Sequence, residues 1–298
     1  MTYHIRLSKL TRASLRLPEY IFFDMKFWFF AYVLLIATLL LLAHEWQRLP
    51  DDKLHFVLLD IGQGDAILIT TPNHQRILVD GGPDLSLLER LGEELPFFDR
   101  TIDLLILTHQ DGDHITAFPA LLERYDIDRI LLTGTANMNS RYEAFLDAAD
   151  RSGAEIIIAQ ADHDLDLGGG VILDVLWPKQ SLFGEKVKET NNASLMAKLM
   201  YKDNEILLTG DIEEKTEEEL LKAGDDLRAD ILKVPHHGSK TSSSTGFLLA
   251  VDPDLALISV GSENTYGHPH PTVLARYEKL RIPVRRTDQE GGIEIVFE

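Results

Sequence analysis

Seventeen consecutive residues without a charge, FWFFAYVLLIATLLLLA at 27–43, constrain this chain more than any other feature. Thr38 is the only clearly polar member of the run. Soluble monomers do not leave apolar surface of that extent uncovered. Wound as a helix rising ~1.5 Å per residue, the run covers about 25 Å, a little short of the ~30 Å hydrocarbon core of a bilayer. Residues 21–23 or the flanks can make up the difference, and Trp28, Tyr32 and Trp46 suit the interfaces. A cleaved signal peptide would share the basic lead-in. Its apolar region would be shorter, however, and LLAHEWQRLP offers no small-x-small cleavage site. The expected organisation is therefore a basic cytoplasmic segment 1–26, a transmembrane anchor 27–44 and a folded body 54–298.

Charge separates the same parts. Up to His44 five basic residues face two acidic ones, a net +3. The totals of 29 basic and 48 acidic residues then leave 24 and 46 beyond that point, a net −22. Arg6, Lys9, Arg12, Arg16 and Lys26 should stay in the cytoplasm, which places the body outside it. A body this acidic repels a long polyanion over most of its surface, so any nucleic acid must be handled locally. There is no cysteine, which excludes a disulfide framework and a Cys-based zinc site.

Within the body, short apolar runs alternate with amphipathic stretches. Strand-like runs lie at 55–59, 66–70, 76–79, 104–107, 129–132, 155–159, 171–176, 195–201, 205–209, 231–234, 255–260 and 293–297. Helical patterns lie near 85–95, 117–124, 140–151, 213–223 and 271–280. A weak echo relates ILVDGG (77–82) to ILLTGD (206–211), and DLLILTH (103–109) to ADILKVPHH (229–237). It predicts two related α/β halves, two sheets packed together with helices outside.

His109-Gln110-Asp111-Gly112-Asp113-His114 follows the apolar run LLILT. Four ligand-type side chains in six residues, with Gly112 for a tight turn, can wrap a metal with little help from distant chain. Imidazole and carboxylate together suit Zn²⁺, Mn²⁺ or Fe²⁺, whereas a Ca²⁺ loop uses oxygen alone. A solvated polar turn would not place such a set directly after a buried strand. Ser242–Ser244 read as a flexible substrate loop or as solvated coil, and Glu213, Glu214 and 217–219 as the solvated face of a helix. His163 in ADHDLD follows a strand-like run far from the other motif positions, and reads as a surface side chain.

HxDxDH after LTH, TGD at 209–211 and PHHGS at 235–239 resemble the metallo-β-lactamase superfamily. Within it they look like the hydrolase domain of ComEC-type DNA-uptake (competence) proteins. LLDIGQGDAILI (58–69), ILVDGGP (77–83), TNNASL (190–195) and YGHPHPTVLARY (266–277) extend the resemblance from about Leu54 to the end of the chain. It implies an α/β fold, an αββα sandwich with a two-metal site on one edge.

Carried across by position, the resemblance makes His109 and Asp111 ligands of a first metal and Asp113 and His114 ligands of a second. Asp211 would bridge both and His237 would complete the second site. Asp113, Asp211, His236 and His268 are the implied reacting groups. His236, His268 and Lys240 are the candidate substrate contacts, although a lone loop lysine is more simply a surface charge. Asp65 and Asp80 are implied supports of the ligand loop. Asp111 and Asn192 stand where the wider superfamily has histidines, and competence-type members share both changes. Oxygen in place of nitrogen moves metal preference from Zn²⁺ towards Mn²⁺ or Mg²⁺. The expected cofactors are two divalent ions, Mn²⁺ or Zn²⁺ first and Mg²⁺ next.

The expected activity is that of a phosphodiesterase or nuclease outside the cytoplasm, with the membrane, DNA and a DNA-uptake channel protein as partners. Two other readings stay open: a phosphoesterase on a small or surface-polymer substrate, and a metal-stabilised binding module without catalysis. A single spanning segment in place of the family's multi-helix channel fits either a stand-alone relative or the end of a longer protein.

Overall fold

The computed structural model describes residues 19–161 and 163–298. The chain divides into two compact units, the first ending at Arg48 and the second running Leu49–Glu298. In the first, helix α1 (Glu19–Gln47) continues beyond both ends of the charge-free run. Its window Met25–Gln47 is long and apolar enough to cross a membrane, with none of it buried. At ~1.5 Å per residue those 23 residues cover about 34 Å, which removes the shortfall of the bare run. Arg6, Lys9, Arg12 and Arg16 of the expected cytoplasmic segment lie outside the described residues.

The body consists of two seven-stranded sheets. The first contains β1 (Leu54–Leu58), β2 (Ile67–Thr70), β3 (Arg76–Val79), β4 (Thr101–Leu107), β5 (Asp126–Leu132), β6 (Glu155–Ile158) and β14 (Ile293–Phe297), in the order β14-β1-β2-β3-β4-β5-β6. The second contains β7 (Asp164–Asp166), β8 (Val171–Trp177), β9 (Met196–Tyr201), β10 (Asn204–Leu208), β11 (Ile231–Lys233), β12 (Leu255–Ile258) and β13 (Val284–Arg286), ordered β13-β12-β11-β10-β9-β8-β7.

Both sheets follow one plan. In the first, the pairs from β14 through β3 are antiparallel and those from β3 through β6 are parallel. In the second, β7 through β10 pair antiparallel and β10 through β13 parallel. Hence β3 corresponds to β10 and β4 to β11, the strands that carry the sequence echo.

Inward side chains of the two sheets, among them Phe56, Ile69, Val79 and Ile106 from one and Leu173, Leu199, Leu208 and Leu257 from the other, form one buried cluster. The outer face of the first sheet is covered by α2 (Ser86–Glu94), α4 (Phe118–Leu122) and α5 (Ser140–Ser152) through Leu91, Phe118 and Phe145. That of the second is covered by α6 (Glu214–Ala223), α7 (Thr245–Val251) and α8 (Pro271–Leu280) through Leu220, Phe247 and Tyr277. Two single-turn helices, α3 (Gly112–Ile115) and α9 (Thr287–Glu290), complete the set. Strands buried on both faces read as unbroken apolar runs, which is why LLIL and ILL show no alternation. The resulting layers are α/β/β/α, as the resemblance implies.

Two local expectations fail. Ser242 and Ser243 are fully buried rather than solvated or loose. Glu217, expected on a solvated helix face, is also buried, and its carboxylate accepts from Ser243 N at 2.6 Å and Ser244 N at 2.8 Å. Ser244 in turn caps α7 by accepting from Phe247 N. Burial pushes the Glu217 carboxyl upward, against the hydrogen bonds from Ser244 and Ser243. The Ser-rich stretch is thus a buried joint between α6 and α7.

Candidate metal centre

The loops leaving β3, β4, β10 and β11 meet at one edge of the sandwich, where rigid sheets aim their side chains. Asp80 follows β3, His109–His114 follow β4, Asp211 follows β10, and His236 and His237 follow β11. Asp80, His236 and His237 all have positive φ, at 59°, 50° and 52°. Non-glycine residues hold that conformation at a cost and only where the surroundings impose it, commonly at functional sites. Gly64, at φ 126°, serves a different need. A Cβ there would collide with the Asp113 carbonyl, which receives Asp65 N at 3.2 Å.

Asp211 lies at the centre and is almost completely buried. One of its oxygens, Oδ2, stands 3.3 Å from His114 Nε2, 3.4 Å from His237 Nε2 and 3.9 Å from His236 Nε2. His237 Nε2 is also 3.6 Å from Asp113 Oδ2. One donor atom each from Asp113, His114, Asp211 and His237 lies within 4.8 Å of the others. The His109 ring sits 4.2 Å from that of His114, and His109 Nε2 is 3.8 Å from Asp111 Oδ2. Asp111 is half-buried at the rim, where its Oδ1 accepts from Thr190.

Among the described residues, six buried atoms of these candidates have no hydrogen-bond partner: Nε2 of His109, His114 and His237, Oδ1 of Asp211 and Asp65, and Nδ1 of His268. Buried polar atoms are normally satisfied, so converging orphaned nitrogens beside carboxylate oxygens fit a cation-binding centre. The supporting bonds point the same way. Asp80 Oδ2 pairs with His114 Nδ1 at 2.8 Å, and both Asp80 oxygens receive Thr108. His237 Nδ1 faces the Ser259 carbonyl at 3.0 Å. Each ring is thereby held with Nε2 inward, the usual arrangement for a metal-binding histidine.

Electrostatics agree. Burial works against the charged forms of His114 and His237, yet Asp211, with Asp80 for one and Asp65 for the other, raises both imidazoles well above their ordinary value. Burial would raise the Asp211 carboxyl, but His237 and His114 hold it far below the usual range. His109 is pushed down to about 4 by burial and then by His114. The pocket demands positive charge, which protons or divalent cations can both supply.

The other candidate residues are placed as follows. Asp65 is buried, salt-bridged to Lys233 and 3.4 Å from His237 Nδ1. His236 is partly exposed, with Nδ1 3.5 Å from Glu213, and its ring packs edge-on against His268 at 5.5 Å. Burial and then His236 lower the His268 imidazole to about 4. Lys240 is exposed and does not line the cavity over the site.

Asn192, a candidate support or weak ligand, bonds to the segment that follows Asp211. Its side chain turns away, accepting from Glu213 N and Thr216 Oγ1 and donating to Glu213. Asn191 lines the cavity with Asp211 and His236 instead. Arg141 and Tyr266, which sequence reasoning passed over, line it too. YGHPHP lay within the quoted resemblance, so Tyr266 was within reach, whereas nothing marks Arg141 in the sequence.

A profile described as the metallo-beta-lactamase superfamily matches residues 59–262, and the chain belongs to that superfamily. Within it the body is of the ComEC type. It is 33% identical to ComE operon protein 3 of Bacillus subtilis over 80% of this chain and 32% of that protein. It is 30% identical to Recombination protein 2 of Haemophilus influenzae over 90% of this chain and 31% of that protein. The chain thus spans about a third of the length of these curated relatives. Among solved structures, the metallo-beta-lactamase fold protein YhfI from Bacillus subtilis shares the fold with a TM-score of 0.54 at 14% identity, covering 82% of this chain and 99% of that one.

Proposed function

We propose that this protein is a two-metal phosphodiesterase that cuts DNA outside the cytoplasm. The observation carrying the reading is the buried Asp211 carboxylate, which faces His114, His237 and His236 amid orphaned ligand atoms. Asp113, His114 and His237 would hold one cation, His109 and Asp111 the other, with Asp211 common to both. Bound there, divalent ions supply a nucleophile at neutral pH and neutralise charge developing on a phosphoryl group. Asp80 and the Ser259 carbonyl keep the imidazoles of His114 and His237 in orientation, with Asp65 3.4 Å from His237 Nδ1. His268, neutral at pH 7 with its value near 4, can donate one N–H to a phosphate or leaving-group oxygen. His236 stands at the cavity rim, suited to touching substrate rather than to closing the buried cluster.

The test takes residues 50–298 with Mn²⁺, Mg²⁺ or Zn²⁺ and offers linear DNA and small phosphodiesters. Cleavage of DNA supports the reading. Turnover of the small substrates alone favours a phosphoesterase on a small or surface-bound molecule, and no turnover with any ion overturns both.

Asp80→Asn should weaken metal binding about 10–100-fold while the protein stays folded, because asparagine tolerates the same positive φ but its neutral amide holds the His114 N–H less strongly than a carboxylate. Competition against a chelator measures it, and an unchanged affinity would remove Asp80 from any orienting role. For topology, protease added outside intact cells should digest the body and spare the basic N-terminal segment. Full protection of the body would reverse the orientation.

A further inference from the structure

Two cavities adjoin at the metal edge, of about 380 and 330 Å³. Both are lined by Gly112, Asp113, Arg141 and Tyr266, so they form one open trough running past Asp113. A third, of about 520 Å³, joins the first through Gln110 and Asn139 and carries Lys186. Each lobe alone is the size of a small-ligand site, ~300–1,000 Å³. Joined, they suit an extended chain better than a compact molecule.

Two side chains of the trough are used by nothing described so far. Among the described residues, Arg141, in the first turn of α5, is the only lysine or arginine lining the two lobes beside Asp113. It is exposed, and no carboxylate among the described residues forms an ion pair with it, in a body that carries a large acidic excess. Its guanidinium lies close over Gly112, where a Cβ would meet Cζ at 3.3 Å. A cation left unpaired beside Asp111 and Asp113 is placed for an anion arriving from outside.

Tyr266 is 68% exposed, and its ring stacks on His268 at 5.9 Å, which in turn meets His236 edge-on at 5.5 Å. Three rings therefore lead from the metal edge outward, ending in a bare aromatic face. A phosphate needs no such face, but an unpaired base does: stacking on aromatics is how proteins hold single strands without reading sequence. Bases inside a duplex are stacked on each other and cannot use it.

Resting on the phosphodiesterase reading above, we infer that the trough grips a single nucleic-acid strand, with Arg141 on a phosphate beside the one to be cut and Tyr266 under an unstacked base. Both are positioning residues.

The experiment measures binding of a fluorescently labelled oligothymidine to the detergent-solubilised full chain loaded with Mn²⁺, by anisotropy across a salt series. Arg141→Ala should weaken binding and reduce the slope of log affinity against log salt by about 0.7, one phosphate contact on a single strand. Tyr266→Ala should weaken binding about tenfold or more with the slope unchanged, and Tyr266→Trp should restore it. On a fully duplex oligonucleotide Tyr266→Ala should change nothing. A damaged fold would weaken both forms alike and leave Tyr266→Trp unrescued. Unchanged affinity in both alanine variants, or equal loss on single strand and duplex, overturns the assignment. Hydrolysis followed in the same samples separates the two readings. A strand that is gripped as described but never cut leaves the trough standing and removes the phosphodiesterase.

Discussion

Asp211→Asn leaves a folded body with almost no hydrolysis, a loss of about 10²–10³-fold or more by analogy with removing a central electrostatic group from an active site. The amide has the same shape, and the backbone stays anchored by Asp211 N donating to Ser194 Oγ at 3.1 Å. What disappears is the negative charge that faces both His114 and His237. A neutral amide cannot offset the mutual repulsion of two cations. Metal content measured beside the phosphodiesterase rate reads the outcome. A variant that kept both ions and the full rate would remove the two-metal proposal.

Lys233→Met should destabilise the body by about 3–5 kcal/mol, the usual consequence of breaking a buried ion pair from one side. Lys233 and Asp65 are both nearly inaccessible, and the ammonium touches Asp65 Oδ2 directly. Burial would raise the Asp65 carboxyl, but Lys233 and His237 more than reverse this and hold it low. A carboxyl depressed in the folded state contributes stability above its unfolded value, near pH 4, and loses it as pH falls through the folded value. The wild type should therefore weaken below about pH 4, and Lys233→Met should flatten that dependence. Denaturant unfolding over a pH series measures both effects. Adding Asp65→Leu to Lys233→Met should recover much of the loss, because a buried pair replaced by apolar side chains is often neutral. A double variant as unstable as the single one would show that packing around Lys233, not its charge, holds the edge together.

The parts of the fold legible in the sequence are those whose burial is one-sided in composition. The runs at 76–79 and 293–297 coincide with β3 and β14, where Ile77–Val79 in one and Ile293, Ile295, Val296 and Phe297 in the other carry the apolar signal. β4 and β5 begin three residues earlier than expected, at Thr101 and Asp126, where polar side chains occupy backbone that still pairs in the ladder. β7 (DLD) and β13 (VRR) were missed. They are edge strands, kept short and charged, and so carry no apolar signal. α7 was hidden behind the buried serines that precede it, Ser242 and Ser243. At the site, the family resemblance, carried across by position, singled out His109, Asp113, His114, Asp211 and His237, which the structure brings together. It did not mark Asn191 as a cavity residue, because the single 3₁₀ turn Asn191–Ala193 sends neighbouring side chains in different directions, and no periodicity announces such a turn.

The pairing of β14 with β1 sets a timetable. His55 Nδ1 reaches the Glu294 carboxylate diagonally across that ladder at 2.8 Å, from 239 positions apart. At a synthesis rate of about 5–20 residues per second, roughly ten to fifty seconds separate the appearance of the two strands. Throughout that interval β1 has its partner β2 on one side and a bare row of peptide groups on the other, a template for any neighbouring chain. The apolar helix α1 is made before either strand. A nascent chain held early at a surface by α1, with neighbours kept at a distance, would wait out that vulnerable period more safely than one released into the crowd.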